Sequence, residues 1–262
     1  MRIKLESDIH LNIYEYYNEE TYKVDLKDID VYIIAGDLCE AHKSNLFLLN
    51  LCEQYPDCKI IEIAGNHTYY KGNIQEVNRD KRKLSEAIEN YFFLENSHIE
   101  IQGINFIGAC FWTDLNNGDR DVINEVWLGM NDYYNIRYLG KKLSPFDTIN
   151  MHRTSKKCIK EMLECSTSEI NIVITHHLPF YNVIFDDIIH YAYGSKLDSW
   201  LNSLKVVPNY WFSGHTHKYH NFSKKFTNGS IQFINNPLGY PSEKKTGYDK
   251  DFILEIKTDE TK

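Results

Sequence analysis

The sequence predicts an α/β fold: two packed β-sheets with helices on their outer faces. Three observations carry that expectation. Strand-like and helical patterns run first as a βαβ-rich order and then as a β-rich one, the layering two covered sheets require. No internal repeat and no low-complexity linker interrupts the 262 residues. At 42% hydrophobic, a chain of this length can bury about 70–75% of its unfolded surface, so residues 1–262 are expected to form a single domain.

In chain order, Ile3 and Leu5 within Arg2–Ser7 mark a first strand, and Val31–Ala35 is continuously apolar, as a strand buried on both faces would be. Between them Asn12–Lys27, carrying Tyr14, Glu15, Tyr16, Tyr17, Glu19 and Glu20, reads as a surface loop. Ser44–Tyr55 is densely apolar and predicts a helix capped at Ser44 and stopped before Pro56. Ile60–Ile63 follows as a strand. Ile74–Asn90 reads as an amphipathic helix with Val77, Leu84, Ala87 and Ile88 inward, and with Lys, Arg and Glu, including the run Arg79–Lys83, on the solvent side.

Ile104–Trp112 is a further strand, with His98–Ile101 as its hairpin partner across Gln102-Gly103. Asp114–Tyr138 offers few periodic cues; the stretch 114–145 reads either as a surface insertion or as a lid that shapes a substrate site. Ser144-Pro145-Phe146-Asp147 supplies an N-cap, a proline at the first helical position and an acid at the third, so a helix is expected to run to Glu164. Ile170–Thr175 and Asn209–Ser213 bracket a helix that starts near Ser195. Tyr219–Phe226, Ser230–Ile234 and Phe252–Ile256 complete the strands, with Asn228-Gly229 as a turn.

Bulk properties exclude several functions. A net charge of −8 gives no global field to hold a long polyanion, so no long nucleic acid is expected as a partner. Six cysteines without CxxC spacing read as reduced thiols. No run approaches the ~20 apolar residues that cross a bilayer, and Met1 leads directly into the first strand, so neither a membrane span nor a targeting segment is expected. The expected location is cytoplasmic. The oligomeric state is not written in the sequence.

The chemistry lies where the strands end. Five strand-like runs deliver Asp8-Ile9-His10, Gly36-Asp37, Gly65-Asn66-His67, His176-His177 and Gly214-His215-Thr216-His217 at their carboxyl ends, the edge where open α/β sheets place their sites. A His-x-His pair alone says little, since alternate strand residues share a face for any purpose. Five such ends read as a metal site. Asp8, His10, Asp37, Asn66, His176, His215 and His217 are too many mixed O and N donors for one zinc, which takes about four. They suit two first-row divalent ions, with Mn, Fe, Zn or Co all allowed. Gly36 and Gly65 allow close backbone approach or positive φ beside the donors.

These blocks, in this order, closely resemble the calcineurin-like metallophosphoesterases. Gly108–Asp114, Met130-Asn131-Asp132, Thr175–Pro179 and Asn236–Tyr240 extend the resemblance, to a subgroup found in bacteria and phages, over nearly the whole chain. It implies an αββα sandwich that hydrolyses a phosphoester at a dinuclear site, with manganese foremost among the ions and iron, zinc, cobalt or magnesium as alternatives. Carried over residue by residue, Asp8, His10 and His217 would hold one ion, Asn66, His176 and His215 the other, and Asp37 would bridge them. A hydroxide shared by the ions would be the nucleophile, and His67 the general acid, with Asp37 and Asn66 acting in catalysis as ligands. Many relatives carry an acid after that histidine; this chain has Thr68, which leaves the partner of His67 open. Of the adjacent histidines, His176 is favoured as the ligand.

Tyr69, Trp112, Asn131, Arg137 and His177 are the candidate substrate contacts: the aromatic residues, with Tyr70 and Tyr133, as walls, and Arg137 as a clamp on a distal phosphate. His42, His98, His152, His190 and His220 read as structural or exposed, and Cys39 as inert. The expected substrate is a small, nucleotide-like phosphodiester or phosphomonoester. A DNA or RNA nuclease of the same superfamily is disfavoured by the acidic balance, and a non-catalytic binding scaffold by the competent residue at every ligand position.

Overall fold

A computed structural model describes residues 1–13, 22–181 and 188–257. Tyr14, Glu15, Tyr16, Tyr17, Glu19 and Glu20 of the expected surface loop lie outside the described residues.

The first half contains β1 (Arg2–Glu6), β2 (Val31–Ala35), α1 (Asn45–Gln54), β3 (Lys59–Ile63), α2 (Ile74–Ala87), β4 (Tyr91–Phe93), β5 (Ser97–Ile101) and β6 (Ile104–Ala109). Next come α3 (Leu115–Gly118), α4 (Arg120–Gly129), α5 (Asp132–Asn135), β7 (Arg137–Tyr138), β8 (Lys141–Lys142) and α6 (Pro145–Cys165). The chain continues through β9 (Ile170–Thr175), α7 (Asp198–Ser203), β10 (Tyr210–Ser213), β11 (His220–Phe226), β12 (Gly229–Asn235) and β13 (Ile253–Glu255).

One sheet has the order β13-β1-β2-β3-β4 and the other β11-β12-β10-β9-β6-β5; β7 and β8 form a separate ribbon. Strands β1 to β4 are mutually parallel, as are β6, β9, β10 and β12, while β13, β5 and β11 run antiparallel at the edges.

The period-2 alternation of each strand separates three apolar layers. Val31, Ile33 and Ala35 of β2 meet Phe106, Ile172, Ile174 and Phe212 between the sheets. Tyr32 and Ile34 turn the other way, onto Leu48 and Leu51 of α1 and Val77 of α2. On the far side Ile107, Val173, Trp211 and Phe233 pack against Ile159 and Leu163 of α6 and Leu201 of α7. Helices therefore cover both outer faces of a β-sandwich, the αββα arrangement.

Helix α6 starts as its sequence requires: the Ser144 side chain accepts from Asp147 N–H, Asp147 caps in return, and Pro145 opens the first turn. Four local expectations need correction. Ser44 precedes α1 but its hydroxyl makes no cap bond; it accepts from Lys81 Nζ at 2.7 Å. Lys81 itself, expected in solvent, is 2% exposed and pairs with Glu62 Oε2 at 2.9 Å inside the layer between α2 and β3. Its ammonium is satisfied there by a carboxylate and a hydroxyl, which a count of apolar positions cannot register. Strand β4 follows α2 without having been signalled. The stretch after Asp114 is largely helical: Asp119 caps α4 by accepting from Asp121 and Val122 N–H, and Val122, Ile123 and Val126 are buried. That pattern was hidden because it spans under three turns and follows Leu115–Gly118, all at positive φ.

All six cysteines are free thiols. No helix among the described residues is long and apolar enough to cross a membrane.

Candidate metal centre

Parallel pairing brings the carboxyl ends of β1, β2 and β3 to one edge of the first sheet, and those of β9 and β10 to the matching edge of the second. Backbone bonds then tie the ends together: Asp8 N–H donates to Gly36 O at 3.1 Å, His10 N–H to Asp37 O at 2.9 Å, and Gly214 N–H to His176 O at 3.0 Å. His215 N–H crosses between the sheets to both oxygens of Asp8, at 3.0 Å each. Asp8, His10, Asp37, His215 and His217 all have φ between 48° and 68°. Such values are uncommon for non-glycine residues and concentrate where tertiary structure forces a functional geometry.

Glycines precede three of the donor blocks because donors press on the backbone there. A Cβ on Gly36, which also has φ +88°, would lie 2.3 Å from His176 Nδ1. One on Gly65 would lie 2.1 Å from Asp37 Oδ1, and one on Gly214 would lie 2.9 Å from His176 Nδ1.

Three donor groups converge: Asp8 with His10 and His217, His10 with Asp37 and His67, and Asp37 with His176 and His215, the donor atoms of each group lying within 4.8 Å of one another. Asp37 Oδ1 accepts from His67 N–H at 2.8 Å, and its Oδ2 lies 3.2 Å from His176 Nε2. His176 Nδ1 faces Ala35 O at 3.0 Å, and a carbonyl only accepts, so Nδ1 carries a proton, while Nε2 faces two further acceptors, Asp37 Oδ2 and, 3.1 Å away, Asn66 Oδ1. His10 Nε2 and His217 Nε2 face each other at 3.1 Å, and His217 Nε2 lies 3.3 Å from Asp8 Oδ1.

The arrangement calls for positive charge. Burial opposes protonation of His176 and His217, yet Asp37 and Asp8 push the first up to about 9, and Asp8 with Glu243 push the second up to about 10. Burial holds His10 down at about 4 and His215 well below its usual value. Burial also disfavours charge on Asp37, but the imidazoles of His176, His67 and His10 outweigh it and keep this carboxyl well below the usual range. His10 Nδ1 and His215 Nε2 are buried and have no hydrogen-bond partner. Carboxylates, an amide oxygen and unsatisfied imidazole nitrogens crowded at one point fit divalent cations of intermediate hardness.

The surrounding partners come from segments that no local pattern linked to the strand ends. Asn66 Nδ2 donates to Asp132 Oδ1 at 2.8 Å, and Tyr70 OH donates to the same oxygen at 2.8 Å. His217 Nδ1 pairs with Glu243 Oε2 at 2.6 Å. His67 stacks on Tyr70 with ring centroids 4.1 Å apart, and its Nε2 lies 3.1 Å from Tyr240 OH. Thr68 Oγ1 turns away and accepts from Gly65 N–H.

The candidate substrate contacts divide. His177 donates from Nδ1 to Cys110 O at 3.1 Å, lies 4.3 Å ring to ring from His215, and is pushed down to about 3 by burial and then by His176. Trp112 packs on His177 and also stacks with Tyr69. Tyr69 and Trp112 line a cavity of about 580 Å³ together with Asn78 and Arg82, and none of the seven donors lines it. Asn131 is exposed, and its neighbour Asp132 is the residue that reaches Asn66. Arg137 is exposed on β7 and tied through its backbone to Gly72. Tyr133 is buried with its hydroxyl 3.3 Å from Thr148 Oγ1. His152 is a core residue whose Nδ1 donates to Phe111 O.

A family model described as calcineurin-like phosphoesterase matches residues 1–219. The chain is 26% identical over 271 residues to uncharacterized protein L509 of Acanthamoeba polyphaga mimivirus, with 93% of each chain covered. Among solved structures, phosphopantetheinyl hydrolase from Mycobacterium tuberculosis is similar with a TM-score of 0.68 at 13% identity, covering 91% of this chain and 89% of that one. That likeness is one of fold.

Proposed function

The chain belongs to the calcineurin-like phosphoesterase family of metal-dependent phosphoester hydrolases, and from that premise we propose that it hydrolyses a small phosphodiester or phosphomonoester at a two-ion centre. Asp8, His10 and His217 would hold one ion and Asn66, His176 and His215 the other, with Asp37 shared between them. The observation that carries the reading is the position of Asp37, shared by the donor group of His10 and His67 and by that of His176 and His215.

Two such ions, when bound, neutralise charge on the phosphoryl oxygens and lower the pKa of a shared water, with manganese the first candidate. The chain's own residues do the rest. Asp132 turns the Asn66 amide so that its oxygen faces the cluster. Glu243 and the Ala35 carbonyl fix the tautomers of His217 and His176, leaving Nε2 of each free to bind. His67, as general acid, gives a proton to the departing oxygen, a contribution of roughly 10²–10⁴-fold for a poor leaving group. A neutral His177 beside His215 leaves the site without a further cation to repel the ions.

A neighbour in fold named for a phosphopantetheinyl substrate supports an ester that joins phosphate to a small organic group. The test is a panel of mononucleotides, cyclic mono- and dinucleotides, oligonucleotides and nitrophenyl phosphates, each run with Mn, Fe, Zn and Mg. Turnover of small esters with one of these metals is expected. Turnover of oligonucleotides alone would replace this reading with the nuclease, and no turnover of any ester would leave the binding scaffold.

A further inference from the structure

The ring of His67 is held by two tyrosines. Tyr70 stacks on one face at 4.1 Å between centroids, and Tyr240 OH meets Nε2 at 3.1 Å. Both tyrosines are themselves fixed. Tyr70 donates to buried Asp132. Tyr240 lies on a short turn closed by Glu243 N–H donating to Tyr240 O at 2.9 Å, and Tyr240 N–H donates back to Glu243 Oε2 at 2.7 Å. The same Oε2 takes His217 Nδ1 at 2.6 Å, so one carboxylate oxygen joins a metal-ligand candidate to the backbone that carries Tyr240. The Tyr240 ring completes the attachment by packing on His10 and His217, with centroids 4.6 Å away in each case. This turn lies beyond residue 219, where the family match ends.

We infer that Tyr240 is the positioning residue for His67, and that Glu243 holds it in place by clasping His217. The inference rests on the reading of His67 as the acid. A hydroxyl on Nε2 and an aromatic ring stacked on one face fix both the direction and the plane of the imidazole, and they do so without adding a charge beside the donors. With Nε2 occupied by Tyr240, the proton for the leaving oxygen comes from the other ring nitrogen, Nδ1.

The experiment is a double-mutant cycle of Tyr240→Phe and His67→Ala, read on an alkyl phosphoester and on its p-nitrophenyl counterpart, with metal content measured alongside. Tyr240→Phe keeps the ring contacts and removes only the hydroxyl. Expected are unchanged metal content, a roughly 10- to 100-fold fall in kcat on the alkyl ester, and little change on the p-nitrophenyl ester. In the His67→Ala background the same change should cost nothing further. Equal losses on both esters, or the same loss with and without His67, would overturn the inference. A wild-type protein inert on every ester would instead retire the phosphoester reading. The contact is then decided by the ¹⁵N resonances of the His67 ring in zinc-loaded protein: a shift of Nε2 on Tyr240→Phe upholds it, and an unmoved Nε2 overturns it.

Discussion

Asn66 Nδ2 donates to Asp132 Oδ1 at 2.8 Å, and that one bond decides which end of the Asn66 amide faces His176. An amide can present its nitrogen or its oxygen to a cation, and only the oxygen binds. Asp132 is buried and also accepts from Tyr70, so it cannot turn away without leaving two donors unpaired. Asp132→Ala is therefore expected to weaken metal binding by roughly 10–100-fold while the fold persists, the scale set by loss of a partner behind a ligand. Calorimetric titration with manganese measures it; wild-type affinity would detach Asp132 from the centre.

Asp37 belongs to two of the three donor groups, and its two oxygens make different contacts. Asp37→Asn is expected to empty at least one metal position, seen by elemental analysis after dialysis. The wild type at about 100 times its dissociation constant for the metal should gain about 2.7 kcal/mol of stability on loading. Unchanged metal content in the variant would contradict a bridging role.

His67 reaches the cluster through its backbone bond to Asp37 and its ring. His67→Ala should retain its metal content yet lose roughly 10²–10⁴-fold in rate on alkyl esters and least on p-nitrophenyl esters, whose leaving group departs without a proton. Parallel losses on the two esters would remove the acid role.

Gly65 has no room for a side chain: a Cβ there falls 2.1 Å from Asp37 Oδ1 and 2.7 Å from Asp37 N. Gly65→Ala should push that carboxylate aside and lower turnover by roughly 100-fold with secondary structure intact. Circular dichroism alongside kinetics checks both halves; full activity would mean that the β2 and β3 ends separate without cost.

Away from the site, Lys81 and Glu62 form an ion pair with both side chains 1% exposed. The Ser44 hydroxyl accepts from Lys81 instead of from the backbone of α1, and Tyr91 donates to Glu62. Removing one charge strands the other, so Lys81→Ala should destabilise the protein by roughly 3–5 kcal/mol in denaturant unfolding, while Lys81→Met combined with Glu62→Leu should recover most of it. A small loss in the single variant would mean that water reaches Glu62.

The residue types at the strand ends were readable from the chain alone, because a parallel strand buried on both faces must be apolar throughout and its donors must wait until it ends. Val31–Ala35 followed by Gly36-Asp37, and Tyr210–Ser213 followed by Gly214-His215-Thr216-His217, show this directly. Helix α6 was equally legible, since its cap, proline and acid are local signals. What only the tertiary structure decided is who stands behind each donor. Asp132 reaches Asn66 across 66 residues of chain, and Tyr240 reaches His67 across 173. A partner brought in by sheet packing leaves no period, cap or spacing near the residue it serves. The same blindness put Lys81 in solvent, for periodicity sees charge as polar while folding sees whether that charge has a counter-ion.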